Sequence, residues 1–213
     1  MAHPISNPPL AVVKTLLFVL ALIPCARTLL TVIQGQAIDP VAFMTHATGD
    51  WTLIFLMLTL AITPLRRLGA PGWIVRLRRM LGLFAFFYGC LHFAIYLVLD
   101  QFFNPAAIAH DVVKRPFITA GFTALLLMTP LAITSTDGWI RRLKRHWARL
   151  HRLVYAVALL GVVHYWWLVK RDLRQPILFA AILAVLLGLR LIWAVHRRWQ
   201  AKKPCPSRHG LVN

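Results

Sequence analysis

Between Arg152 and Lys170 the chain reads LVYAVALLGVVHYWWLV, seventeen residues without a charged side chain. A helix that is apolar all round belongs either in the core of a large protein or in a lipid bilayer. Five further apolar runs follow one another within only 213 residues, 59% of them hydrophobic and 14% charged. No soluble domain of this length has a core deep enough for six such elements, so lipid is the solvent. A bilayer offers no water to backbone groups, which restricts each run to a helix. The expectation is an all-α integral membrane protein built as a six-helix transmembrane bundle. Its spans lie at about 12–33, 51–65, 79–99, 117–134, 151–169 and 176–195, within a single transmembrane domain covering 1–213.

The net charge of +18 does not indicate nucleic acid, because the basic residues fall in short clusters between apolar runs. Arg66, Arg67, Arg76, Arg78 and Arg79 form one cluster, Arg141 to Arg152 a second, and the tail with Arg197, Arg198, Lys202, Lys203 and Arg208 a third. These alternate with weakly basic loops, and the positive-inside rule places the basic set in the cytoplasm, with both termini inside. The first run continues past Arg27 without an A-x-A pattern, which reads as an uncleaved span. The run 51–65 is short against the roughly 20 residues that cross hydrocarbon, and is expected to borrow a turn from the linker before it. Trp51, Trp166, Trp167 and Trp193 are expected in the interfacial aromatic belt. There is no glutamate, and the six aspartates are expected in loops or at helix ends. The three cysteines show no CxxC, haem-attachment or zinc spacing, so no disulfide, metal or covalent haem role is expected of them. No internal repeat stands out, and after the last span there is no GxGxxG, P-loop or room for a nucleotide domain.

Histidine inside an apolar span is costly and by default marks a functional site with a partner. His92 lies deep in the third run and His164 in the fifth. Thirteen positions separate Arg79 from His92, and the same interval separates His151 from His164. That is roughly 20 Å along a helix. With six spans the third and fifth run parallel, so His92 and His164 share one depth near the outer face, and Arg79 and His151 share another at the inner one. The outer level reads as a bis-histidine haem site between facing helices. At the inner level a thirteen-residue step turns a helix by roughly 140° away from the first side chain, so a second haem needs an irregular helix or another ligand. The competing reading of each buried histidine is a hydrogen bond to a backbone carbonyl of a neighbouring helix. His46, His110, His146 and His196 read as surface residues, with His46 a possible contact for a quinone or partner.

The runs GDWTLIFLMLTLAITPLRR, RRMLGLFAFFYGCLHFAIY and TSTDGWIRRLKRHWARLHRLVYAVALLGVVHYWWLVK resemble the haem-binding subunit of the bacterial periplasmic protein-methionine-sulfoxide reductase system. That subunit belongs to the ferric-reductase-like transmembrane group, and the likeness extends from about Asp39 to Arg198. The resemblance implies an inner-membrane electron carrier with haem b, one or two copies, and FMN. It implies electrons from the quinone pool or a cytosolic flavin reductase, and delivery to a periplasmic molybdopterin-dependent methionine sulfoxide reductase. The chain would then be an electron-transfer subunit and not the sulfoxide-reducing catalyst. His92, His151 and His164 fall on the group's haem-associated histidines, and Arg79 stands where the wider group has a fourth. Arginine presents donors only, which suits a haem propionate or flavin phosphate better than iron. Arg149, Arg152 and Arg190 are candidates for the same charge role, or for lipid headgroups. The alternative function is a small transporter or proton carrier using the buried histidines, a class that usually also places carboxylates in the membrane.

Overall fold

The computed structural model describes residues 10–169 and 172–201, and the expectations for Lys202, Lys203, Cys205 and Arg208 lie outside the described residues. Among the described residues every regular element is a helix. These are α1 (Leu10–Ile33), α2 (Pro40–Arg67), α3 (Arg78–Ile95), α4 (Pro105–Lys114), α5 (Pro116–Ile133), α6 (Asp137–Leu143), α7 (Arg145–Leu150), α8 (Leu153–Leu168) and α9 (Arg174–Ala201). A 3₁₀ stretch, Gly72–Leu77, leads into α3, and a π turn, Tyr96–Asp100, ends it.

The sequence sets several of these boundaries directly. Asp39 caps α2 by accepting from the Ala42 N–H at 3.0 Å, and Pro40 fills the first helical position, where no N–H is needed. Asn104 and Pro105 repeat the device at α4. The cap at Asp39 makes α2 28 residues long, about 42 Å, so the second span borrows more than a turn from the linker. One expectation is corrected by this: Asp50 lies inside α2 and not in a loop or at a helix end.

Among the described residues five helical stretches are long and apolar enough to cross a membrane: Leu10–Ile33, Pro40–Arg67, Gly72–Asp100, Pro116–Ile133 and Arg174–Arg197. The remaining expected span, α8, has 16 residues, about 24 Å against roughly 30 Å of hydrocarbon. Half of the apolar window of α2 is buried inside the protein, against 22% or less for the others, so α2 is the central post. α3 packs chiefly on α2 and α8 chiefly on α5, with contacts between α3 and α5 joining the two pairs. Rings of Phe55, Phe84 and Tyr88 stack along the α2–α3 seam. Trp51, half-buried, packs against them with its ring 5.7 Å from Phe55, whereas Trp166 and Trp167 are exposed. The Tyr88 hydroxyl enters the backbone ladder of α1 beside Pro24, donating to the Ala21 carbonyl at 2.8 Å and accepting from the Cys25 N–H at 3.1 Å. At 1% exposure it ties an otherwise lipid-facing helix to the core.

Candidate functional site

His92 and His164 line one cavity of about 350 Å³, named the outer cavity after the topology expected from the basic clusters. Their ring centres are 6.0 Å apart, with the planes at 89°. Each ring is tied by Nδ1 to a backbone carbonyl of the helix it packs on, His92 to Thr45 at 2.9 Å and His164 to Phe117 at 2.6 Å. A carbonyl only accepts, so Nδ1 carries the proton in both rings and Nε2 keeps its lone pair. The carbonyl bond of the competing reading is therefore present, and it leaves free the nitrogen that a metal would use.

Glycines make room for both rings. A Cβ on Gly49 would come within 3.2 Å of the His92 ring, and one on Gly121 within 2.7 Å of His164 Nδ1. In each case the glycine lies one turn beyond the accepting carbonyl, and 47 residues separate carbonyl from histidine. Thr45 and Phe117, Gly49 and Gly121, Gly89 and Gly161, and His92 and His164 are all 72 positions apart. The α2–α3 pair and the α5–α8 pair are thus two copies of one histidine-seating unit, correcting the expectation that no repeat exists. So few positions carry the correspondence that residue identity along the chain does not reveal it. Arg79 and His151 occupy equivalent places in the two copies, since they too are 72 apart.

A second cavity of about 600 Å³ occupies the basic end, lined by Arg78, Arg79, His151, Arg152, Tyr155 and Arg190. His151 lies at the break between α7 and α8, where the helix is irregular in the way the thirteen-residue spacing required. Its ring stacks on Trp147 with centres 4.0 Å apart, and Nδ1 meets the Trp147 carbonyl at 3.2 Å. Its Nε2 is buried without a hydrogen-bond partner. Arg79 is held by Asp137 at 2.7 Å, both side chains being well exposed, so its guanidinium serves an ion pair. Arg190 donates to the Leu60 carbonyl and to the Tyr155 hydroxyl, leaving its buried Nε unpaired. Of the two roles the sequence offers Arg190, a charge partner for a propionate or phosphate and a headgroup contact, its place in the cavity lining fits the first. Its place near the middle of the apolar α9 was the signal that it faces inward. No other histidine lines this cavity among the described residues.

Of the residues expected together, His92 meets His164, while His151, Arg79 and Arg152 share the other cavity. Arg149 lines neither cavity. His46 lines the outer cavity, whereas His110, His146 and His196 are exposed outside both. Among the described residues no three His, Cys, Asp or Glu side chains converge to hold a bare metal ion.

The profile of the family described as ferric reductase like transmembrane component matches residues 48–162, which include His92 and His151 and stop two residues short of His164. A protein of Herminiimonas arsenicoxydans named protein-methionine-sulfoxide reductase heme-binding subunit MsrQ is 54% identical over 200 residues, 92% of this chain and 91% of its own. The chain belongs to the MsrQ family. MsrQ heme-binding subunits from Xanthomonas euvesicatoria pv. vesicatoria and Ralstonia nicotianae are 55% and 50% identical, covering 80% and 86% of this chain and 76% and 87% of theirs. No solved structure matches. With its apolar helices, membership of the MsrQ family makes the chain a multi-pass protein of the bacterial inner membrane.

Proposed function

We propose that the chain holds haem b between His92 and His164 and carries electrons across the inner membrane to a periplasmic methionine sulfoxide reductase. The observation that carries this reading is the 6.0 Å between the two ring centres across a cavity. An imidazole nitrogen bonds a metal at about 2 Å, so rings on opposite sides of one ion have centres roughly 6 Å apart. The 89° between the ring planes would not prevent the two imidazoles from holding one iron together. With no third His, Cys, Asp or Glu converging on the pair among the described residues, the two imidazoles would suit an iron held otherwise by a porphyrin. Relatives named heme-binding subunits over nearly the whole length support the same assignment.

When bound, the haem supplies one-electron chemistry; the rest is done by the chain. The Thr45 and Phe117 carbonyls fix tautomer and ring orientation and raise the basicity of each Nε2. Gly49 and Gly121 let the rings approach, and the lining around them is largely apolar. At the inner end His151, with Arg79 and Arg152, offers one imidazole and a cationic rim. That combination suits the propionates of a second haem or the phosphate of FMN, with electrons arriving from quinol or a cytosolic flavin reductase. In this reading α8 is the sixth span of a single membrane domain with both termini cytoplasmic, and sulfoxide reduction belongs to the molybdopterin-dependent partner.

The test is a dithionite-reduced minus oxidised spectrum with haem-to-protein stoichiometry on the purified protein. Sharp b-type bands lost in His92→Ala and in His164→Ala are expected, and a colourless protein under full haem supply refutes the reading. The proton-carrier alternative gains one observation, the carboxylate of Asp50 within α2.

A further inference from the structure

Asp50 lines the outer cavity together with His46, one turn earlier on α2, and Tyr165 on α8. Tyr165 and His46 both lie close enough to the Asp50 carboxylate to act on its charge. A carboxylate in an apolar span is costly and by default functional. Nothing in the haem site uses it, because the two imidazoles are held by backbone carbonyls. Among the described residues no cationic nitrogen lies within 4.0 Å of it, whereas Asp111, nearby, is paired with Arg115 at 3.2 Å.

We propose that Asp50, seated with Tyr165 and His46, takes up one proton when an electron enters the outer cavity and releases it when the electron leaves. This rests on the haem reading above. An added electron brings one negative charge into a low-dielectric cavity that already holds a carboxylate, where unlike the aqueous case the repulsion is poorly screened. A proton transferred from outer water to an Asp50 oxygen restores the balance, so that one electron and one proton enter together and leave together. The charged and titratable groups around Asp50 fit this task. The Tyr165 hydroxyl favours the ionised form, and Asp172 acts on Tyr165 from just beyond α8. Tyr96, Asp100 and Arg115 line the cavity from the α3 and α4–α5 side, and Arg115 is engaged with Asp111. His92 and His164 lie in the same cavity with their Nδ1 protons committed to carbonyls. His46 is exposed at the mouth and gives the proton a path to water.

The experiment is a spectroscopic redox titration of the haem-loaded protein in detergent, with dithionite as reductant, repeated across the neutral pH range. The midpoint potential should fall as pH rises, approaching about 59 mV per tenfold change in proton concentration for a one-electron, one-proton couple. Asp50→Asn should flatten that dependence. A slope kept in Asp50→Asn overturns the proposal, and so does a slope lost only in His46→Gln, which would assign the proton to the imidazole. Should Asp50→Asn fail to hold haem, Tyr165→Phe decides: losing a donor to the charged carboxylate must move the sloping window to higher pH. A window that stays in place overturns the proposal. Haem stoichiometry is read first on the unsubstituted protein, so a haem-free chain refutes the haem reading and a pH-independent potential refutes this one.

Discussion

Replacing Gly121 by alanine tests the seat of His164 more sharply than deleting the histidine does. An added Cβ would stand 2.7 Å from Nδ1, 2.9 Å from Cε1 and 3.2 Å from Cγ, whereas ordinary contact begins at 3.4 Å. The ring must retreat by the 0.7 Å shortfall between 2.7 and 3.4 Å, and it is pinned in place by the 2.6 Å bond to the Phe117 carbonyl. Overpacking of this kind costs about 1–3 kcal/mol. If that strain falls on the site, haem binding weakens by roughly 5- to 150-fold, since about 1.4 kcal/mol corresponds to a factor of ten. Gly49→Ala, at 3.2 Å from His92, needs a shift of only a few tenths of an ångström and should do less. Gly82→Ala, whose Cβ meets Thr59 at an ordinary 3.8 Å, should leave haem content unchanged. The assay is haem-to-protein stoichiometry after purification, with size-exclusion profiles as the control for folding. Full haem content in Gly121→Ala, or equal losses in all three, refutes the argument that the glycines exist to admit the rings.

Three further outcomes are expected. His151→Ala removes a buried, unpartnered nitrogen and should leave the His92–His164 bands intact while abolishing any second cofactor, measured by haem and flavin content. Tyr88→Phe strips the hydroxyl from the Ala21 carbonyl and the Cys25 N–H; leaving buried polar groups unpaired should destabilise the protein by about 1–3 kcal/mol, read from thermal unfolding in detergent. Asp137→Asn breaks only an exposed pair with Arg79, so unfolding should change by under about 1 kcal/mol; a larger loss would mean that Arg79 has a structural task in the inner cavity.

The class of fold was legible because lipid imposes one rule on every residue of a span, and the third and fifth runs obey it plainly. The shared depth of His92 and His164 was legible too, since equal spacing from basic helix starts measures height. Rotation about the helix axis was not. The break that brings His151 to face the inner cavity lies at His151 and Arg152, two residues without proline or glycine to announce it. Asp50 was misplaced for a related reason: Asp39 and Pro40 start α2 so early that a polar stretch, THATGD, becomes helix. The repeat stayed hidden because glycine and histidine positions carry it while the lipid-facing residues between them are free to vary.

Each imidazole is seated by its own helical hairpin, one by α2 with α3 and the other by α5 with α8, and only a group reaching both nitrogens spans the gap. Such a group would be a rivet as well as a conductor. During insertion the two hairpins can reach the bilayer separately and remain loosely apposed until it arrives, so cells short of the pigment should accumulate a chain that is fully inserted yet open to proteases.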